Sequence, residues 1–142
     1  MKIHLSRRYR FSASHRLHSA HLGEEENKRV YGKCNNPYGH GHNYVVEVSV
    51  SGPVDQATGM IANLSDLDAF VDSEVIEPFD HKYLNEEIAE FCKNVPTTEN
   101  ICIEIFNRLR LFPRARLERV RVEETGLNSF EYAGEPAGAT HE

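Results

Sequence analysis

The chain has 142 residues, 39% of them hydrophobic and 27% charged, which fits one soluble domain large enough to bury a core. No run approaches the ~20 apolar residues of a membrane span, and three cysteines are too few for a disulfide framework. A formal net charge of −6 argues against nucleic-acid binding, and the opening "MKIHLSRRYR" lacks the apolar core of a signal peptide, so a cytoplasmic protein is expected. The charge is unevenly spread. Residues 1–44 hold eight Lys/Arg against Glu24, Glu25 and Glu26, a net of +5, while the remainder nets −11. A basic segment on an acidic chain suits a small anionic ligand.

In chain order, the first strand is expected from Leu5 to His15, with Tyr9, Phe11, Ala13 and His15 on one face. A polar loop containing "GEEEN" follows. The second strand runs from His42 to Ser51, with His42, Tyr44, Val46, Val48 and Val50 on one face. "SGPVDQATG" is turn chemistry. Ser65 reads as the N-cap of a helix through Ile76, with Pro78 as its stop. "DHKYLNEEIAEFCKNV" is loop with some helix, and a second long helix starts near "PTTEN", placing Ile101, Cys102, Ile105, Phe106 and Leu109 on one face. "RLERVRVEE" is a third strand carrying Val120, Val122 and Glu124 on one face, and "SFEYAG" a short fourth closing a hairpin. The order β-β-α-α-β-β predicts an α+β domain, an antiparallel sheet with two helices on one face. It spans residues 1–134, and residues 135–142 form a loose tail.

Strand parity carries the chemistry. His15 ends the apolar face of the first strand, and His40 and His42 have the parity of the apolar face of the second. If the strands pair, three imidazoles converge at one edge of the core, the ligand set of a catalytic zinc with its fourth position open. Cys34 lies in the polar turn "GKCNN", where a thiol near Lys33 and a metal should have a lowered pKa and serve as base or nucleophile. Cys102 and Cys92 read instead as small buried apolar residues. Glu124 ends an otherwise apolar face, either past the strand end in water or as a buried anchor for a ligand's N–H groups. Asp80 and His81 could form an orienting pair for proton transfer, although a surface histidine is the ordinary reading of such a dipeptide.

Together, "FSASHRLHS", "GKCNNPYGHGHNY", "DQATGM", "LSDL", "DHKYLN", "TTEN" and "VEET" resemble the 6-pyruvoyl-tetrahydropterin synthase family over nearly the whole chain. The resemblance implies the tunnelling fold, in which two trimers stack into a homohexamer with active sites between subunits. It implies that His15, His40 and His42 hold Zn2+, that Cys34 is the catalytic proton acceptor, and that Asp80 and His81 form its relay. Glu124 then anchors the pterin ring, and Thr97, Thr98 and Glu99 line its pocket. The implied substrate is 7,8-dihydroneopterin triphosphate, converted to 6-pyruvoyl-tetrahydropterin with triphosphate elimination, as in tetrahydrobiopterin biosynthesis. Because oxidation of the side chain reduces the ring, no nicotinamide is required. The alternative is a 6-carboxytetrahydropterin synthase of queuosine biosynthesis, which takes the same substrate but typically carries a shorter C-x3-HGH spacing than the C-x5-H of this chain. A non-catalytic pterin- or purine-binding relative is disfavoured by the retained Cys34 and Asp80–His81, and a structural zinc scaffold by the absence of a fourth protein ligand.

Overall fold

The computed structural model describes residues 2–136, so most of the expected loose tail lies outside the described residues. Strands β1 (Ile3–His15) and β2 (His40–Gly52) pair antiparallel in full register, from Ile3 opposite Gly52 to His15 opposite His40. β2 then pairs antiparallel with β4 (Arg116–Thr125), and β4 with β5 (Asn128–Tyr132). A two-residue strand, β3 (Lys82–Tyr83), adds to β1 in parallel, giving the order β3-β1-β2-β4-β5 among the described residues.

The period-2 alternation works as expected. Phe11, Ala13 and His15 of β1, Tyr44, Val46, Val48 and Val50 of β2, and Val120 and Val122 of β4 are all buried. They form one core with the helices. Tyr44 stacks on Phe11 at 5.0 Å between ring centroids, and Phe79 meets Phe11 edge-on at 5.6 Å. The opposite face of the sheet is polar, with Glu47 within 4.0 Å of Arg8, Arg119 and Arg121.

The helical layer departs from the pattern reading in instructive ways. The segment around "GEEEN" is a helix, α1 (Glu24–Tyr31), rather than a loop. Its three glutamates occupy the first turn and Lys28 and Arg29 the last, complementing the helix dipole. Only Asn27 is buried on it, so it offers no apolar stripe to read. Helix α2 (Leu64–Val71) is capped by Asn63, whose side chain accepts from the Ser65 amide at 2.8 Å, so Ser65 is not the cap. It does not stop before Pro78. It continues through a π-helical turn (Asp72–Ile76) into α3 (Glu77–Phe79), where Pro78 falls in the first turn and its missing N–H costs little. A short α4 (Leu84–Glu87) and a 3₁₀ turn (Ala89–Cys92) follow, and Cys92 is exposed rather than buried because that turn lies at the surface. Helix α5 (Thr98–Leu109) buries the face anticipated for it, Ile101, Cys102, Ile105, Phe106 and Leu109, and Thr97 caps it. None of the helices among the described residues is long and apolar enough to cross a membrane.

Candidate active site and metal centre

The end of β1 and the start of β2 bring the histidines to one edge of the core. His15 is fully buried, and its Nδ1 lies 2.8 Å from the Pro96 carbonyl oxygen, a contact that only an Nδ1–H can make. Nε2 is then the bare lone pair, and it is the one buried side-chain nitrogen or oxygen among the described residues without a hydrogen-bond partner. A buried acceptor left unpaired is costly in an apolar interior. Burial lowers the His15 pKa, with a further lowering from neighbouring imidazoles, so the ring is held in its neutral, ligating form. The His42 pKa is lowered first by burial as well, against the opposing pull of Glu124.

Donor atoms of His15, Cys34 and His42 all lie within 4.8 Å of one another. A tetrahedral zinc with bonds of about 2.0–2.3 Å holds its ligand atoms about 3.3–3.8 Å apart, so the cluster closes on an ion if its side chains draw in by about 1 Å. The donor set of neutral imidazoles and a thiol also suits zinc. His40 stands on the same face with its ring centroid 4.7 Å from that of His42, yet it is outside the tight donor cluster. Parity therefore located two of the three expected ligands in the cluster. Cys34 takes the third place in it, because the 3₁₀ turn Gly32–Asn35 carries the thiol to 3.9 Å from His42 Nε2.

Burial, and then the negative charge of Glu124, raise the Cys34 pKa, so the acidification expected of this thiol has to come from the charge of a metal beside it. Glu124 lies on the core face, not in water. Its Oε2 accepts a short hydrogen bond from the Thr98 hydroxyl and is 3.9 Å from His42 Nε2. Of the three residues expected around it, Thr98 is buried and holds Glu124, Thr97 receives the Asn100 amide at 3.2 Å as the cap of α5, and Glu99 is exposed in the first turn.

Asp80 and His81 do form a pair, with His81 Nδ1 2.9 Å from Asp80 Oδ2. The pair is pinned to β1. The Ser12 amide donates to Asp80 Oδ1 at 2.9 Å, and the His81 amide donates to the Ser12 carbonyl at 2.6 Å from a left-handed backbone (φ 60°). That Ser12 contact is the main reason the Asp80 carboxyl sits below the usual range. The His81 side chain is 82% exposed, in a hollow shared with Ser12, Ser14, Asn43 and His42. Among the described residues no contact joins this pair to Cys34. Pattern reading missed two groups that orient His15, the Pro96 carbonyl and the Tyr44 hydroxyl at 3.3 Å. A backbone carbonyl leaves no trace in a sequence, and Tyr44 was visible only as an apolar-face residue.

The profile describing 6-pyruvoyl tetrahydropterin synthase matches residues 4–135. The human protein named 6-pyruvoyl tetrahydrobiopterin synthase is 48% identical over 132 residues, 92% of this chain and 91% of its own. Its namesake from Poecilia reticulata is 47% identical over 133 residues, covering 93% and 90%. The solved structure of the Caenorhabditis elegans 6-pyruvoyl tetrahydropterin synthase superposes with a TM-score of 0.89 at 40% identity, covering 95% of this chain and 97% of that one. Sequence, fold and the edge-of-core cluster of imidazoles and thiol agree, and this chain belongs to the 6-pyruvoyl tetrahydropterin synthase family.

Proposed function

We propose that the protein is a zinc-dependent 6-pyruvoyl-tetrahydropterin synthase, a lyase converting 7,8-dihydroneopterin triphosphate to 6-pyruvoyl-tetrahydropterin with elimination of triphosphate. The observation that carries this reading is the unpartnered, buried Nε2 of His15 beside Cys34 and His42, in a chain of this family. The C-x5-HGHNY spacing favours the pyruvoyl over the carboxy product. Residues 1–134 act as a single domain, in the cytoplasm, on a small molecule rather than on nucleic acid.

His15, His40 and His42 would hold the metal. When bound, zinc supplies Lewis-acid polarisation of the substrate's side-chain hydroxyls and a positive charge beside the Cys34 thiol. Glu124 accepts the N–H groups of the pterin ring, its orientation set by Thr98. Thr97 and Glu99 stand beside that anchor on the first turn of α5. Cys34 as thiolate takes a proton from the side-chain carbon. His81, oriented by Asp80, moves a proton onward. Because no contact among the described residues joins Asp80–His81 to Cys34, the relay that serves one thiol comes from a neighbouring copy. Homohexamer formation, as two stacked trimers, provides that neighbour and covers the outer edges of β3 and β5. Light scattering is expected to give six times the 16.2 kDa chain mass, and a stable, active monomer would overturn the shared site.

Mass spectrometry of the products from purified protein and 7,8-dihydroneopterin triphosphate tests the reaction. Triphosphate and the pyruvoyl pterin are expected. Acetaldehyde with the carboxy pterin would assign the other activity. Glu124→Ala is expected to raise KM at least tenfold with a smaller change in kcat. Each hydrogen bond to a charged acceptor is worth roughly 1.5–3 kcal/mol, and an anchor present in ground and transition states contributes mainly uniform binding. Steady-state kinetics in which kcat collapses at constant KM would instead make Glu124 part of the chemical step.

A further inference from the structure

We infer that Arg108, in the last turn of α5, is the positioning residue of the Asp80–His81 pair, an inference that rests on the relay role proposed above. The pair sits on strained backbone. His81 is the one non-glycine residue among the described residues in the left-handed region, at φ 60°. Such a conformation persists only where the structure on both sides of it over-determines the chain path. On one side that structure is β1, through the two Ser12 contacts. On the other it is the end of α3. There the Asp80 amide donates to the Ile76 carbonyl at 2.8 Å, and the fully buried Phe79 directly precedes the pair.

The segment leading into α3 is irregular. In the π-helical turn Asp72–Ile76 the Glu77 amide donates to the Asp72 carbonyl, five residues back. Turns of this kind are rare, redirect the helix that follows and are frequent at functional sites. Arg108 reaches across from α5 and meets this segment at two points. Its Nη1 donates to the Glu74 carbonyl inside the π turn at 3.3 Å. Its guanidinium carbon lies 4.9 Å from the centre of the Phe79 ring, the one cation over an aromatic ring among the described residues. Phe11 at 5.6 Å and Phe91 at 6.2 Å stand nearly perpendicular to the same ring. Phe79 is therefore held from three directions, and the residue after it is Asp80.

The guanidinium is itself held. Nε donates to Glu104 at 2.7 Å, one turn back on α5, and Nη2 donates to Glu90 at 3.3 Å. The Glu104 side chain is 16% exposed and that of Glu90 is 43% exposed, so Glu104 is the anchor and Glu90 a rim contact. A planar fork meets two carboxylates, a carbonyl and a ring face at once, which a single ammonium does not. An apolar side chain at this position would cover Phe79 without desolvating a charge. What the guanidinium adds is direction, because its bonds fix the π turn and the Phe79 ring relative to α5.

The test compares wild type with Arg108→Met, which keeps an unbranched stem against Phe79 and removes the fork. In spectra of protein carrying nitrogen-labelled histidine, the His81 ring nitrogens report whether Nδ1 still bonds Asp80. Arg108→Met is expected to weaken that signature and to leave zinc content unchanged. Arg108 lies about 15 Å along α5 from Thr98, so the Glu124 anchor and KM for 7,8-dihydroneopterin triphosphate should hold. The kcat should fall about tenfold or more, since misplacing a working group by about 1 Å is costly. Arg108→Lys, which keeps a cation near Phe79, should recover part of kcat, and Glu90→Gln should leave kcat and the His81 spectrum unchanged.

An unchanged His81 spectrum in Arg108→Met would overturn the inference. So would a kcat that stays at the wild-type value while His81→Ala is defective, or a KM that rises in step with the loss of kcat, the mark of general loosening. If Arg108→Met does not fold, Glu104→Gln decides, because it frees the anchor and leaves the guanidinium in place. A smaller fall in kcat at constant KM with the same spectral change is then expected, and no change in either would overturn the inference. His81→Ala separates this inference from the relay. Full turnover in His81→Ala would end the relay role, and an altered His81 spectrum in Arg108→Met would still establish the positioning.

Discussion

Cys34→Ala is expected to reduce turnover of 7,8-dihydroneopterin triphosphate by about 10²–10⁴-fold, the usual cost of losing a general base, while pterin binding changes little. The thiol is the one group beside His42 that can accept a proton from the substrate side chain without also serving as the ring anchor. Its raised pKa makes the prediction sharper. Burial and Glu124 both disfavour the thiolate, so the base needs a nearby positive charge to form at neutral pH. Glu124→Gln, which removes the opposing charge but keeps the shape, should therefore shift the rising, acid-side limb of the pH profile of the remaining turnover to lower pH. Near-full activity in Cys34→Ala would remove the base assignment. The thiol would then be incidental to a metal loop.

The second large effect concerns the metal. His15→Ala should yield protein with no bound zinc and with turnover reduced by at least about 10³-fold, because Lewis-acid stabilisation is worth several kcal/mol. Elemental analysis of freshly purified protein is expected to give about one zinc per chain in the wild type. A chelator should lower the melting temperature of the wild type but not of His15→Ala, since an ion that binds only the folded state stabilises it by mass action. The same assay decides between the two donor sets. Zinc lost in His40→Ala and kept in Cys34→Ala supports three histidines with a free thiol. The reverse pattern would make His15, Cys34 and His42 the ligands, as their 4.8 Å grouping allows, and would end the role of Cys34 as a free base. Full occupancy in His15→Ala, His40→Ala and His42→Ala alike would refute the centre altogether.

Pro96 shows how far the metal hypothesis depends on the fold. Its carbonyl takes the Nδ1–H of His15 from a distance of 81 residues along the chain, and so selects the tautomer that points Nε2 into the cluster.

What the sequence determined by itself is whatever a short local period encodes. Alternation along β1, β2 and β4 put His15, His42 and Glu124 on the core face before any strand was paired, and the register of His15 with His40 then follows from burying that face. The apolar stripe of α5 was legible for the same reason. Other features have no local period. Helix α1 buries a single asparagine and is held by that residue's bonds to residues 19–23, so nothing apolar announced it. Strand β3 is two residues long and exists only because β1 is there to pair with. Pro78 looked like a stop because a π-helical turn, which shifts the hydrogen-bond register around it, cannot be read from propensity. The same limit governed the site. Which donor lies within reach of His42 depends on how the 3₁₀ turn at Gly32–Asn35 closes against Leu17, and which face Asp80–His81 occupies depends on how α3 returns to β1. Those are distances between segments far apart in sequence, set by loop closure and packing. Tertiary structure alone brought Cys34 into the tight cluster with His15 and His42, and pinned the Asp80–His81 pair to Ser12 on β1.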